Sequence, residues 1–390
     1  MNKTPKLRFK EFREPYKRTQ FNDCVSIRNG QVDPCVEPYC DMPHIGPGNM
    51  EKFTGRLLEV RTAKEDGQMS GKYLFDKDDV LYGKINPHFG KVVFPKYEGL
   101  CSADTYPLKA SKGMISSYLF YSLQTSRFLK YSISVSMRTG MPKINREELS
   151  LYNFNLPSKE EQEKIASFFS LIDDKISLQG EKVEALKDYK NGMMQKIFSR
   201  ELRFKDDDGR DYPEWEEKKI KDIFTVTRGV VIAKTEISNI KDASNKYPVY
   251  SSQTSNNGIL GYDSGYDFEG DYLTWTTDGA NAGKVFRRSG KFRCTNVCGV
   301  LVENEDTLGF ANKMISEILN KETPKHVSYV GNPKLMNGAM GDIKIKVPVI
   351  DEQIKIAKIL DSIDLKIEKE QEKLDYLNEY KKGLLQQMFV

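Results

Sequence analysis

The chain has 390 residues, of which 38% are hydrophobic and 30% are charged, and its formal net charge is +4. This length predicts two or three domains that each bury a core. No apolar run approaches the length of a membrane span, and the charged start MNKTPKLRFKEF lacks the apolar core of a signal peptide. These features argue against a membrane or secreted protein, so we expect a cytoplasmic one.

The first block, residues 1–157, is predicted to be a mixed α/β domain. Its stretch from Asp79, DVLYGKINPHFGKVVF, predicts a strand, a polar turn and a second strand. Lysine and asparagine side chains on rigid loops hold phosphates and read base edges. A plain hairpin turn also favours Asn and Gly, so a purely structural role stays open for each residue. The first candidate DNA-binding set is Lys84, Asn86, His88, Lys91, Arg138 and Lys143.

A 43-residue segment then occurs twice without a gap, at residues 157–199 and 348–390, with 18 identical positions. In both copies apolar side chains recur in steps of three and four, with polar breaks at Gln179 and Lys190 and at Glu370 and Lys381. Because a solvated helix would scatter such breaks, this period predicts two coiled-coil helices, at 158–200 and 349–390. The predicted interface residues are Ile165, Phe169, Ile172, Ile176, Val183, Leu186, Ile356, Leu360, Ile363, Ile367, Leu374 and Leu377.

The connection between the two helices favours antiparallel packing. The block between them, residues 201–348, is compact enough to hold its two ends close together, whereas parallel helices would force it to span a rod of about 60 Å. We therefore expect a rod with a globular domain at each end, related by a pseudo-twofold axis.

The second block, residues 201–348, contains a stretch from Asp271, DYLTWTTDGANAGKVF, that predicts another strand, polar turn and strand. The same two interpretations apply to its turn, as a DNA-reading loop or a plain hairpin. Four cations follow on the next hairpin, at Arg287, Arg288, Lys291 and Arg293. The second candidate DNA-binding set is Thr276, Thr277, Asp278, Asn281, Lys284 and Lys334.

The repeat extends to the edges of both blocks but not to their middles. Leu7-Arg8-Phe9-Lys10 returns as Leu202-Arg203-Phe204-Lys205, and Gly140-Met141-Pro142-Lys143-Ile144 corresponds to Gly331-Asn332-Pro333-Lys334-Leu335. The two helical segments together carry a charge of −3, so the remaining residues carry +7. One scaffold therefore presents two different surfaces, and the positive charge lies where a polyanion would bind.

Motifs for chemistry are incomplete throughout. Cys35, Cys40 and His44, or Cys294 with Cys298, lack zinc-site spacing, so neutral thiols are expected. Asn86-Pro87-His88-Phe89 lacks the second proline of adenine-methyltransferase motifs, and Gly279–Lys284 is one residue short of a phosphate loop. We expect no catalytic residue, no metal and no cofactor bound by this chain.

The frame G-x-P-K, then P-x-x-x-E-Q-x-K-I-A and a long helix, occurs twice and resembles the specificity subunit of Type I restriction-modification enzymes. The resemblance covers nearly the whole chain. It implies an α+β fold in which two mixed α/β target-recognition domains are separated by an antiparallel coiled coil, as a pseudo-twofold tandem repeat. It also implies a non-catalytic subunit that binds a bipartite double-stranded DNA target, with the coiled coil setting the gap between half-sites.

The resemblance further implies partner proteins and places the chemistry on them. Two methyltransferase subunits would use S-adenosylmethionine, and two restriction subunits would use ATP and Mg. A non-enzymatic scaffold that binds protein partners is the main alternative, and a fused methyltransferase-specificity enzyme is a second one. A salt-dependent affinity for duplex DNA would separate the first reading from a protein scaffold.

Overall fold

The structure is a computed structural model that describes residues 4–137 and 140–390. The chain forms two compact units, one comprising Met1–Lys182 with Glu370–Val390 and the other Val183–Lys369. These units divide each long helix near its middle, because each half of a helix packs on a different block. The four segments expected from the sequence describe the repeat rather than this packing, and they stay a proposal.

The first unit combines short strands, short helices and parts of the two long helices. Its elements in chain order are β1 (Lys17–Gln20), α1 (Phe21–Cys24), β2 (Val25–Ile27), β3 (Gln31–Val32), β4 (Pro43–Ile45), β5 (Arg61–Thr62), β6 (Lys72–Phe75), β7 (Asp79–Gly83), β8 (Val92–Val93), β9 (Gly99–Cys101), β10 (Thr105–Ala110), α2 (Ser116–Ser122), α3 (Ser126–Ser136), α4 (Arg146–Ser150), β11 (Asn153–Leu156) and the start of α5 (Lys159–Phe198). Short 3-10 turns lie at Tyr39–Asp41, Pro47–Asn49 and Pro87–Phe89.

The second unit follows the same plan with longer strands. After the end of α5, its elements are β12 (Glu216–Lys219), α6 (Ile220–Ile223), β13 (Phe224–Arg228), β14 (Tyr247–Tyr250), β15 (Ile259–Asp263), β16 (Phe268–Thr276), β17 (Val285–Cys294), β18 (Cys298–Glu303), α7 (Lys313–Glu322), α8 (Asn337–Asp342), β19 (Lys344–Val347) and the start of α9 (Ile350–Met388). Its 3-10 turns lie at Lys234–Glu236, Ser255–Gly258, Glu305–Thr307 and Thr323–His326.

The two units share one strand order. Four strands run β2-β10-β7-β8 in the first unit and β13-β18-β16-β17 in the second, and a separate antiparallel pair, β1-β11 or β12-β19, precedes each long helix. The first unit adds a five-stranded sheet, β3-β6-β9-β4-β5, whereas the second continues its own sheet through β14 and β15. We call the five-stranded sheet of the first unit, and strands β14 and β15 of the second, the outer part of each unit. One parallel strand pair occurs there in each unit, β4 with β9 and β14 with β17.

In the first unit the outer part is a separate sheet because the central hairpin, in which β7 pairs with β8 and β6 with β9, is interrupted. The link between β8 and β9 contains Pro95, which has no N–H to give to a ladder. In the second unit β16 and β17 pair without a break from Phe268 to Trp275, and two glycines, Gly270 and Gly290, face each other at the bend. Both glycines have positive φ, which lets the long hairpin bend there without losing its strand pairing.

Each unit has its own hydrophobic core, and the long helices close it. In the first unit Ile165, Phe169, Leu384 and Met388 join the aromatic core around Tyr118. The second unit's core is built around Trp275 and includes Ile197, Ile356 and Leu360. The mixed α/β blocks with two long helices confirm the predicted fold class.

The two long helices begin and end within two residues of their predicted bounds. The Ser158 hydroxyl caps α5 by accepting the Glu161 N–H at 3.3 Å, and acidic residues fill the first turn of both helices. All twelve predicted interface residues are buried or half-buried. The 3.5-residue period therefore identified the buried stripe of each helix.

Within each unit the helices run antiparallel. In the first unit the rings of Phe169 and Phe389 lie 5.9 Å apart, and Gln179 donates to the Glu370 carboxylate at 2.7 Å. Residue numbers thus rise on one helix as they fall on the other. In the second unit Lys190 meets Asp364, and Ile197, further along α5, shares a core with residues near the start of α9.

The polar breaks in the periodicity are paired side chains. Lys381 lies 2.7 Å from Asp173 in the first unit, and Lys190 lies 2.7 Å from Asp364 in the second. These two pairs are equivalent in the repeat, since 191 residues separate Asp173 from Asp364 and Lys190 from Lys381. Each helix therefore supplies an acid for the lysine of the other.

The arginine of each repeated Leu-Arg-Phe-Lys segment forms a buried ion pair, which explains why the segment recurs. Arg8 donates to both carboxylate oxygens of Glu161 at 2.8 Å, and Arg203 donates to Glu352 at 2.9 and 3.3 Å. The two glutamate side chains are only 1% and 0% exposed. Each pair fastens the start of its block to the first turn of the following long helix.

A cluster of two lysines and two acids on the second unit predicts a response to acid. Burial alone raises the pKa of Glu317 and Asp364, but Lys313 and Lys190 outweigh it and hold both pKa values below their ordinary range. Groups with a lowered folded pKa stabilise the fold above their unfolded pKa, near 4, and lose that contribution as the pH falls through the folded value. We expect Glu317→Gln to flatten the decline in the urea midpoint below about pH 4. Exposed Glu372→Gln is the control, and equal slopes in wild type and Glu317→Gln would refute the assignment.

Candidate nucleic-acid interface

The loops that follow the central strands β7 and β16 are held by the G-x-P-K segments in the same way. Here residues 84–91 are the first reading loop and 277–284 the second, while 140–144 and 331–335 are the lead-in segments. The Asn86 N–H donates to Pro142 O at 2.7 Å and the Ile144 N–H to Lys84 O at 3.0 Å. In the second unit the Gly279 N–H donates to Pro333 O at 3.0 Å and the Leu335 N–H to Thr277 O at 2.9 Å.

This pairing brings the predicted residues of the first unit together. Lys84 and Asn86 are half-buried, and Lys143 is exposed opposite them, in a bridge with Ile85. Asn86 has a φ of +47°, a left-handed conformation that asparagine tolerates better than most residues. The Lys84 ammonium lies 5.3 Å from the Tyr106 ring centre. Arg138 lies outside the described residues.

The two predicted residues near the end of the first reading loop, His88 and Lys91, have different environments. His88 is exposed on the 3-10 turn, but the Lys91 ammonium donates to Pro47 O and is half-buried. Burial lowers the Lys91 pKa, with a smaller effect from Lys52. Lys52 itself lies 3.9 Å from the Phe89 ring centre. Lys91 is thus held inside the loop, and a phosphate contact by it stays an untested prediction.

Arg146 belongs to the same surface and escaped the sequence analysis. It lies 5.4 Å from the Tyr106 ring centre and donates to Asn29 Oδ1 at 2.6 Å. Lys84 and Arg146 therefore share one aromatic ring. In the sequence, Arg146 could have been identified by its position three residues after Lys143 of the lead-in segment.

Two predicted threonines, Thr276 at the end of β16 and Thr277 at the start of the second reading loop, are bonded within the protein. Thr276 Oγ accepts the Lys284 N–H at 3.0 Å, and Thr277 Oγ donates to Val297 O at 2.8 Å. Thr277 is only 4% exposed. Asp278, half-buried, accepts from Ser252 Oγ at 2.8 Å. This geometry favours a positioning role for both threonines, and base contacts by them stay untested predictions.

The remaining residues of the second set face solvent. Asn281, Lys284 and Lys334 are exposed, and among the described residues neither lysine has a carboxylate within ion-pair distance. Asn281 Nδ2 donates to Thr254 Oγ1 at 3.0 Å, which leaves its amide oxygen and second N–H for a ligand. These side chains can supply both base-edge contacts and phosphate contacts.

A polar loop at residues 251–258, SSQTSNNG, supports this site and was not predicted. Ser252 bonds to Asp278 and to Val297 O, and Thr254 bonds to Asn281. Asn256 and Asn257 are left-handed, with φ of +48° and +50°. In the sequence, this loop could have been identified by its high density of Ser, Thr, Asn and Gln.

Most of the cations on the hairpin after the second reading loop are engaged inside the protein. Arg287 pairs with Asp361 at 3.2 Å, Lys291 with Glu269 at 3.5 Å and Arg293 with Asp263 at 2.7 Å. Arg288 is 3% exposed and stacks 3.7 Å from the Tyr250 ring centre. The exposed lysines of the reading loop and lead-in are therefore better placed for phosphate than this hairpin.

The described residues offer neither a metal site nor a membrane-spanning helix. Across residues 4–137 and 140–390, no group of three or more His, Cys, Asp or Glu side chains is placed to hold a metal. Cys294 and Cys298 are buried thiols with sulfurs 3.5 Å apart. No helix in the described part of the chain has both the length and the apolar character to cross a bilayer.

Comparisons with known proteins agree with this layout. The family model of the Type I restriction modification DNA specificity domain matches residues 14–188 and 212–379. A putative type I specificity subunit of Mycoplasma pneumoniae, described as an N-terminus, is 46% identical over 145 residues, covering 37% of this chain and 75% of the relative. A second from that organism is 32% identical over 253 residues, covering 62% of this chain and 90% of the relative.

The fold also matches a solved structure. The crystal structure of a Type I restriction-modification S subunit from M. genitalium superposes with a TM-score of 0.64 and 16% identity, over 100% of this chain and 99% of that one. At that identity the match establishes the fold. The family rests on the sequence matches in both halves of the chain.

Proposed function

The chain belongs to the family of Type I restriction-modification DNA specificity domains, and on that premise we propose that its two reading loops each address one half-site of a bipartite duplex target. The chain is the DNA sequence-specificity subunit of such a system and is not itself an enzyme. The observation that carries the assignment of the loops is the shared pair of backbone hydrogen bonds beneath them. The same pair of backbone hydrogen bonds supports one loop in each unit, although the two loops are unrelated in sequence.

The chemistry of the loops supports DNA as the ligand. Each unit combines a lysine on the lead-in segment, Lys143 or Lys334, with a lysine and an asparagine on the reading loop. Lysine neutralises phosphate, and asparagine can pair with the edge of adenine in the major groove. A scaffold that binds only proteins would not need this combination twice.

Membership of the family supports a proposal for the partners and their cofactors. The proposed complex contains two methyltransferase subunits that use S-adenosylmethionine and two restriction subunits that use ATP and Mg, and it works in the cytoplasm. The helices α5 and α9 would set the gap between half-sites. The chemistry would take place on the partners, while this chain selects the sequence.

Salt-dependent DNA binding tests the proposal. Replacing Lys84 and Lys143 together by Ala, or Lys284 and Lys334 together, should weaken binding to both cognate and random duplex DNA. Each lost phosphate contact should reduce the slope of log K against log salt by about 1. Asn281→Ala should instead cost about 1–3 kcal/mol on the cognate site alone. The cognate duplex is the motif methylated in a host that expresses the chain with its methyltransferase.

Two controls sharpen this experiment. Lys91→Ala should change the slope less than Lys84→Ala, because the Lys91 ammonium is already bonded to Pro47 O. Lys344→Ala removes an exposed lysine on β19 that pairs with Glu217. If the full chain with its methyltransferase bound DNA without salt dependence, or if both double variants matched wild type, the proposed interface would be wrong.

A further inference from the structure

The turn that enters the lead-in segment of the second unit carries an exposed apolar tip. Ser328 and Lys334 exchange backbone hydrogen bonds at 2.8 and 2.9 Å and close a turn between them. At this tip Tyr329 is 69% exposed and Val330 is 91% exposed. Turns normally carry polar residues, so two adjacent large apolar side chains in solvent require an explanation.

The tip borders the second reading loop. Lys334, which closes the turn, also forms a bridge with Asp278, and its neighbours Pro333 and Leu335 bond to Gly279 and Thr277. An apolar contact made by the tip would therefore fall directly beside a contact made by the loop.

A second exposed apolar pair is connected to the same loop. Val297 O accepts from Thr277, and Thr295, two residues before Val297, forms a bridge with Val230. Val230 is 49% exposed and Val231 is 81% exposed. Two exposed apolar pairs are therefore linked to the polar reading loop by short chains of contacts.

The first unit has exposed apolar residues near its own lead-in segment, whereas the counterparts of Tyr329 and Val330, residues 138 and 139, lie outside the described residues. Met137 is 75% exposed and Met141 is 63% exposed, and Pro142 next to Met141 holds the first reading loop. Exposed apolar side chains thus accompany the lead-in segment in both units, although the residue types differ.

We propose that Tyr329 and Val330 form an apolar wedge that contacts DNA bases at the edge of the half-site read by the second loop. This rests on the proposed function of that loop. Phosphates offer no partner for the ring of Tyr329 or the side chain of Val330, whereas base faces and thymine methyl groups do. The exposed Lys284 and Lys334 beside the tip favour a polyanion over an apolar protein surface, so duplex DNA is the occupant.

The test uses the full chain with its methyltransferase and a cognate duplex that carries 2-aminopurine at the edge of the half-site. Tyr329→Ala with Val330→Ser should weaken cognate binding about tenfold, since base–aromatic stacking contributes on that order. The salt slope should not change, because no phosphate contact is lost. Tyr329→Phe keeps the ring and should keep both the affinity and the change in 2-aminopurine fluorescence.

Tyr189→Ala, on an exposed tyrosine of α5, is the matched control and should behave as wild type. Wild-type affinity and fluorescence in the Tyr329/Val330 double variant would overturn the wedge while leaving the reading loops intact. Loss of methyltransferase binding with unchanged DNA affinity would overturn it too, and would make the tip a protein-binding surface. Failure of the wild-type chain to bind the cognate duplex would instead count against the proposed function.

Discussion

Exchange of residues 202–347 for the same block of a relative is expected to change one half-site of the methylated motif and to leave the other unchanged. The second reading loop, its lead-in segment and the polar loop at 251–258 all lie inside this block. The first reading loop and Lys143 lie outside it, in a unit with its own core. The substitution therefore replaces one reading surface whole.

The measurement is the set of methylated adenine motifs in the genome of a host that carries the hybrid chain and its methyltransferase. Exchange of residues 7–156 is the reciprocal experiment and should alter the other half-site. A simultaneous change in both half-sites from either exchange would contradict independent reading by the two units.

Arg203→Met is expected to cause the largest loss of stability among single substitutions of charged residues in the second unit. It leaves the Glu352 carboxylate, which is 0% exposed, without its guanidinium partner. Removing one partner of a buried ion pair typically costs about 3–5 kcal/mol, because the remaining charge is not solvated. Urea unfolding measures the change. The double variant Arg203→Met with Glu352→Leu should recover much of the loss, since no charge is then stranded.

The first unit provides a matched comparison. Tyr16 O–H donates to Glu161 at 2.9 Å, so Arg8→Met leaves that carboxylate one hydrogen bond and should cost less than Arg203→Met. Breaking the exposed Lys344–Glu217 pair should change stability far less than breaking either buried pair, because water screens exposed charges. Equal losses from the exposed and the buried pair would mean that Glu352 is solvated.

The sequence was most informative where structure follows from local spacing. The 3.5-residue period identified a buried stripe on each long helix, because neighbours along a helix determine which face is buried. The repeated edges located both lead-in segments, and the strand–turn–strand patterns located both reading loops. The partners of the polar breaks could not be predicted in the same way, since matching Lys381 to Asp173 requires the register between two helices.

Side-chain roles inside the loops depended on contacts distant in sequence. Thr277 was grouped with Asn281 as a base contact, but its hydroxyl meets Val297, twenty residues further on. Arg287 is one of four cations on a hairpin in the sequence, but in the fold it pairs with Asp361, 74 residues further on. Composition identifies which groups can bind DNA, whereas only the fold shows which of them are already occupied by the protein.

The hydrogen bonds that hold both reading loops use main-chain atoms alone. The N–H groups of Asn86 and Gly279, and the carbonyls of Lys84 and Thr277, belong to the backbone. The positive φ of Asn86 and Gly279 restricts substitution at those two positions. A substitution at an exposed position of the loop other than these anchors, such as Asn281, can therefore alter which bases are preferred without loosening the loop's anchor. Such an arrangement lets new target sequences arise by mutation or recombination in the middle of a block, while the edges that fold and align it stay untouched.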